Sequence, residues 1–138
     1  MPRLDLIHAQ VKQALMNDGW TITDEPYNIV YGSVRLQADL GAQKSFAAVR
    51  NGTKIVVEVK SFTGKSLISE IENAIGQYLM YVGYMRLVGD EHKIYLALSQ
   101  EVYEQFGDVD GLDMVLDQFS VSLLIVDIVN KEVVKWIR

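Results

Sequence analysis

Cysteine is absent from this 138-residue chain, which excludes disulfides, thiolate catalysis and Cys-based zinc sites together. Only oxygen and nitrogen donors remain for any metal. Proline occurs only at Pro2 and Pro26, and no internal repeat, low-complexity tract or linker divides the chain. No apolar run approaches the ~20 residues of a membrane span, and no charged segment leads into an apolar stretch with a small-residue cleavage site. A cytoplasmic protein with no membrane partner is expected. Basic residues are few, 13 Lys and Arg against 18 Asp and Glu, for a formal net charge of −5. A non-specific nucleic-acid binder normally carries a basic excess, because neutralised phosphates drive its affinity. Any DNA contact therefore needs a local basic surface, a metal or a partner. What is present, 49% apolar and 22% charged residues, suits one soluble globular domain over residues 1–138.

The chain is organised around Thr53 to Ser61, T-K-I-V-V-E-V-K-S. Its β-branched residues mark a strand, and apolar side chains on both faces place that strand inside a sheet covered on two sides. Glu58 and Lys60 interrupt the pattern, and both share the face of Val56, because side chains alternate along a strand. A buried ion needs a counter-ion, a metal or solvent in a cleft; the alternative is a strand end whose charges reach water.

Before this stretch, Leu4, Ile7, Val11, Ala14 and Leu15 recur at helical spacing, and Asp18-Gly19 provides a stop, predicting a helix over 3–18. His8 sits at the edge of that apolar stripe, either structural or in contact with substrate. Short strands are expected at 20–23, 29–31 and 34–40. Asn51-Gly52 signals a two-residue hairpin joining Phe46–Arg50 to the central strand, with Ser45 opposite Glu58, Gln43 opposite Lys60 and Ala47 opposite Val56. Beyond it, 66–87 reads as the longest helix, with Leu67, Ile71, Ala74, Ile75, Tyr78, Leu79 and Val82 on its apolar side. Glu70, Asn73, Gln77, Tyr81 and Tyr84 form a polar and aromatic stripe along the same helix. A strand at 93–98, helices at 100–106 and 112–119, a buried strand at 121–128 and a terminal hairpin with a strand at 131–136 complete an α/β (α+β) domain, a mixed sheet flanked by helices.

Asp39, in Gln37-Ala-Asp-Leu-Gly-Ala-Gln43, can converge with Glu58 if their strands are neighbours and the chain bends at Gly41. Two carboxylates can hold Mg²⁺ with waters left for phosphate oxygens, and a lysine beside them can orient the attacking water and stabilise phosphate charge. Asp, then Glu-x-Lys, on an apolar strand, followed by a helix with Gln77-x-x-x-Tyr81, resembles the PD-(D/E)xK superfamily of restriction-endonuclease-like nucleases. The resemblance implies Asp39 and Glu58 as metal ligands, Lys60 as the catalytic lysine, and Gln77 and Tyr81 lining the site or contacting DNA. Within that superfamily, Asp18-Gly-Trp-Thr-Ile-Thr23, Asp39-Leu-Gly-Ala42, Val57-Glu-Val-Lys-Ser-Phe62 and Gly76-Gln-Tyr-Leu-Met-Tyr81 are similar to the XisH family over nearly the whole chain.

Members of that family are called fdxN element excision controlling factors, are associated with cyanobacterial heterocyst DNA rearrangement, and are often encoded beside a XisI protein. The resemblance implies accessory control of DNA excision and recombination, a nuclease-like fold, Mg²⁺ or Mn²⁺ as cofactor, and as partners DNA, contacted directly or through another protein, and a XisI-like protein. Gln43 departs from the family, which commonly carries glutamate there, and leaves open a regulatory protein that does not cleave DNA. A third reading is a homo-oligomer whose face carries Tyr78, Tyr81, Tyr84 and Met85.

Overall fold

A computed structural model describes residues 3–36, 43–62 and 66–138, with the side chains of 3–6 and 43–45 outside that description. The elements are α1 (Arg3–Asn17), β1 (Thr21–Asp24), β2 (Ile29–Tyr31), β3 (Val34–Leu36), β4 (Gln43–Arg50), β5 (Thr53–Lys60), α2 (Leu67–Leu87), β6 (Lys93–Ser99), α3 (Gln100–Phe106), α4 (Leu112–Gln118), β7 (Leu123–Asp127) and β8 (Glu132–Ile137). Six strands form one mixed sheet in the order β1-β4-β5-β6-β7-β8, while β2 and β3 pair separately. The mixed α/β architecture expected from the sequence is the one observed.

The hairpin sets the frame. Asn51 and Gly52 both take positive φ, 51° and 81°, as the tight two-residue turn requires. The register from Gln43↔Lys60 to Arg50↔Thr53 follows, including Ser45↔Glu58 and Ala47↔Val56. On its other side β5 runs parallel to β6, which runs parallel to β7. Parallel neighbours require a crossover, and right-handed crossovers progressing in one direction across a sheet put their helices on one face. Accordingly α2 and the α3–α4 pair pack with Val56, Leu96, Leu98, Leu123 and Ile125 in one core. The opposite face, with Ile55, Val57, Val59, Ala97, Leu124 and Val126, is closed by Val11, Ala14 and Leu15 of α1.

Local chemistry fixes the helix ends. Ser66 caps α2 by accepting from the Ser69 N–H at 3.2 Å, and Ser99 caps α3 through the Val102 N–H at 3.2 Å. Gly19, φ 92°, ends α1. Tyr78 ties α2 to the sheet, its hydroxyl accepting from the Ser122 N–H at 3.0 Å and lying 3.5 Å from the Ile94 carbonyl.

Two expectations need revision. Tyr78, Tyr81 and Met85 are 3%, 6% and 3% exposed, so they belong to the core rather than to an oligomer face. The strand predicted at 121–128 is shorter because Val121 and Ser122 precede it: the Val121 N–H bonds the Leu116 carbonyl, and the Ser122 N–H bonds Tyr78. The strand predicted at 34–40 appears as β3 over Val34–Leu36, with residues 37–42 outside the described residues.

Candidate functional site

Glu58 lies in the middle of the sheet, paired through the backbone with Ser45 on β4 and Leu96 on β6. Alternation directs it to the α2 side together with Val56, and it is 0% exposed. Few features of a water-soluble fold cost more than a carboxylate so placed. Lys60 ends the strand on the same face and is half-buried, its Nζ 5.9 Å from the centre of the Phe62 ring. Phe62 in turn packs edge-on against Phe106, with centroids 5.6 Å apart. Buried Ser61 and Ser99 lie beside Lys60 at the carboxyl ends of β5 and β6. Ligands of open α/β sheets bind outside the carboxyl ends of parallel strands.

The two expected α2 residues divide. Tyr81 packs in the same core cluster as Val56, whereas Gln77, one turn earlier, is exposed on the flank of the helix. Glu70 and Tyr84 are half-buried on that flank, and Tyr84 lies 6.0 Å from Tyr31 of β2. Glu58, Lys60, Gln77 and Tyr81 thus share one side of the sheet. Asp39 lies outside the described residues, and so does Gly41.

His8 is on the other side. It is 7% exposed, meets Phe46 of the α1-side core edge-on at 5.5 Å, and has Nε2 2.5 Å from a carboxylate oxygen of Glu25. Lys12 donates to the second oxygen at 2.6 Å. Burial would raise the Glu25 carboxyl above its ordinary 4.5, but the bonds from His8 and Lys12 outweigh it and hold the group lower. The imidazole therefore ties α1 to the chain leaving β1, and the sheet separates it from Glu58.

One polar group was not foreseen. The Tyr27 hydroxyl donates to Asp90, which also accepts from the His92 backbone N–H at 2.9 Å and lies 2.7 Å from His92 Nδ1. Burial alone would raise the Asp90 carboxyl, and these donors hold it below its ordinary value instead. The Tyr27 phenol is pushed up by burial and by the neighbouring Asp90 carboxylate. Tyr27 and Asp90 are 63 residues apart, and no local pattern announces their contact.

Among the described residues, no three His, Cys, Asp or Glu side chains gather as a metal site. Glu58 is a hard oxygen donor suited to Mg²⁺, which commonly takes one or two carboxylates and keeps several waters. The described side chains therefore supply one such ligand at the Glu58 end of the sheet. Nor, among the described residues, is any helix long and apolar enough to cross a membrane.

The model of the XisH protein family matches residues 1–134. The chain belongs to the XisH family. Two solved structures agree with this XisH assignment. A fdxN element excision controlling factor protein from Anabaena variabilis is 38% identical, with a TM-score of 0.87, covering 97% of this chain and 99% of that one. A XisH family protein from Nostoc punctiforme PCC 73102 is also 38% identical, with a TM-score of 0.86, covering 96% and 99%. A comparison with curated proteins finds no match. Near-complete coverage in both directions means that the XisH chain shares the whole mixed sheet and its helices with these structures.

Proposed function

We propose that this XisH chain is a factor controlling site-specific DNA excision, and that the Glu58–Lys60 end of its sheet is a Mg²⁺- or Mn²⁺-dependent phosphodiester site of the PD-(D/E)xK kind. The excision role rests on similarity to the Anabaena variabilis factor. The observation that carries the site is Glu58, fully buried on a central strand with half-buried Lys60 two residues on.

In this reading Glu58 is a metal ligand and Asp39 supplies the second carboxylate. When bound, the cation neutralises phosphate charge and lowers the pKa of a coordinated water. Lys60, at the strand end, would orient an attacking water and face the charge that develops on the phosphate. Gln77 is accessible on the helix flank and contacts DNA, while Tyr81 supports it from below. An acidic chain that neutralises phosphate only through this site binds DNA weakly by itself. A protein partner, of the XisI kind, then supplies the remaining affinity.

A second reading, regulation without cleavage through such a partner or a recombinase, is favoured by the acidic net charge of −5, which opposes direct DNA contact. The test is incubation with Mg²⁺ or Mn²⁺ and supercoiled, single-stranded and branched DNA, alongside Mn²⁺ calorimetry. Cleavage lost in Lys60→Ala, with cation binding lost in Glu58→Gln, supports the enzyme. Intact wild-type protein that neither cuts nor binds the cation removes the catalytic reading and leaves the regulatory one.

A further inference from the structure

The outward face of α2 does not look like a solvated helix. Ile71, Ala74, Tyr78, Tyr81 and Met85 face the core, and on the opposite side, at steps of three and four, stand Glu72, Gly76, Leu79, Met80, Gly83 and Leu87. Leu79, Met80 and Leu87 are 43%, 52% and 60% exposed. Glycine is the poorest helix former after proline, yet two of them sit here within one 21-residue helix. A Cβ at Gly76 or Gly83 would meet nothing within 4 Å. Packing against the described residues of this subunit therefore gives no reason for either glycine. On the flanks, Phe119 is 60% exposed beside Leu79 and Arg86 in a cleft of about 420 Å³, and Tyr31, 47% exposed, lies against Tyr84.

We propose that this face is the interface of a two-fold homodimer in which α2 packs antiparallel on α2 of a second copy. The choice of a second copy follows from the self-complementary order of the face. A two-fold axis between Leu79 and Met80 sets Gly76 against the partner subunit's Gly83, and Leu79 against the partner subunit's Met80. The same axis brings Glu72 to the C-terminal turn of the partner helix, within one residue of the partner subunit's Arg86. Acidic residues occupy the first part of α2, Glu70 in its first turn, and Arg86 its last turn. Antiparallel pairing therefore opposes unlike charges and unlike helix ends, whereas parallel pairing would stack like on like. Glycines on both sides let the backbones approach, and the flanking Phe119 and Tyr31 are of the aromatic type enriched at interfaces. Such an isologous contact closes on itself and does not propagate into fibres.

The dimer is independent of the nuclease reading, and sedimentation velocity on the full chain tests it. Wild type is expected to sediment as a dimer. Met80→Glu, which places a charge on each side of the axis, should weaken association about a hundredfold while keeping the wild-type circular dichroism. Glu72→Arg should weaken it about tenfold, and Glu72→Arg combined with Arg86→Glu should recover it. Gly76→Ala with Gly83→Ala should act with opposite signs, raising the melting temperature of the Met80→Glu monomer while loosening the wild-type dimer. Monomer at every concentration up to the solubility limit overturns the proposal, and so does a dimer indifferent to Met80→Glu. A monomer that associates only with a different protein assigns the face to that partner instead.

Discussion

Lys60→Ala and Glu58→Gln remove opposite charges from one face of one strand, and the structure makes their costs unequal. Glu58 is 0% exposed, whereas Lys60 is half-buried at the strand end. Without the lysine, a carboxylate remains where water does not reach. Without the carboxylate, the lysine can still extend its ammonium to solvent. If Lys60 is the counter-ion of Glu58, its removal costs what breaking a buried pair does, about 3–5 kcal/mol, reduced by the partial exposure of Lys60 to about 2–3 kcal/mol. For a domain of this length, 1 kcal/mol moves the melting temperature by about 3–4 °C, so Lys60→Ala should melt roughly 6–12 °C below wild type. Glu58→Gln keeps the volume and stays within about 1 kcal/mol of wild type. Lys60→Met should fall less than Lys60→Ala, since an unbranched apolar side chain of similar length keeps the packing that alanine gives up. Calorimetric melting of the metal-free proteins measures all three. If Lys60→Ala melts within about 2 °C of wild type, or Glu58→Gln melts more than about 4 °C below it, Lys60 is not what compensates the buried carboxylate.

Tyr78→Phe removes the acceptor for the buried Ser122 N–H and should cost about 1–3 kcal/mol. Denaturant unfolding gives the energy, and hydrogen exchange should show the Ser122 amide losing protection; unchanged protection would mean that Tyr78 acts by packing alone. Because the folded Asp90 carboxyl lies below its ordinary 3.8, its contribution is present above that pH and disappears as pH falls through the lower folded value. Tyr27→Phe should therefore flatten the acid limb of the stability–pH curve, and an identical limb would show that the hydroxyl does not hold Asp90 ionised.

How far the fold was legible depends on whether its causes are local. Asn51-Gly52 carries its turn type in two residues, and the β4–β5 register follows from that turn alone. The extent of α2 came from its periodicity, and the structure adds the Ser66 cap that starts it. What periodicity did not give was the outer limit of the buried arc. Tyr81 stands on the polar stripe in the sequence, yet the β2–β3 pair and the sheet enclose it, because a helix lying over a sheet with a second small sheet on its flank is covered over more than one stripe. His8 looked like a site residue because sequence does not tell which face of the sheet α1 will cover. The Tyr27, Asp90 and His92 group depends on tertiary structure and has no local signal. Glu58 and Lys60 were legible for the opposite reason, as charges that contradict the strand around them.

The antipodal placement of α1 has a consequence for biogenesis. Its core partners include Leu124 and Val126 of β7. Asn17 at its end donates to the Lys131 carbonyl at 2.9 Å, and Trp20 just after it meets Trp136 of β8 at 5.6 Å. During vectorial synthesis α1 can dock early on Phe46 of β4 and Ile55 and Val57 of β5, but its contacts with β7 and β8 form only after those strands are made. Until residues 132–137 are made, the end of that face carrying Leu124 and Val126 lacks the neighbouring β8 strand and the Trp20–Trp136 contact. That interval is when a nascent chain of this topology is most exposed to holdase chaperones and to aggregation.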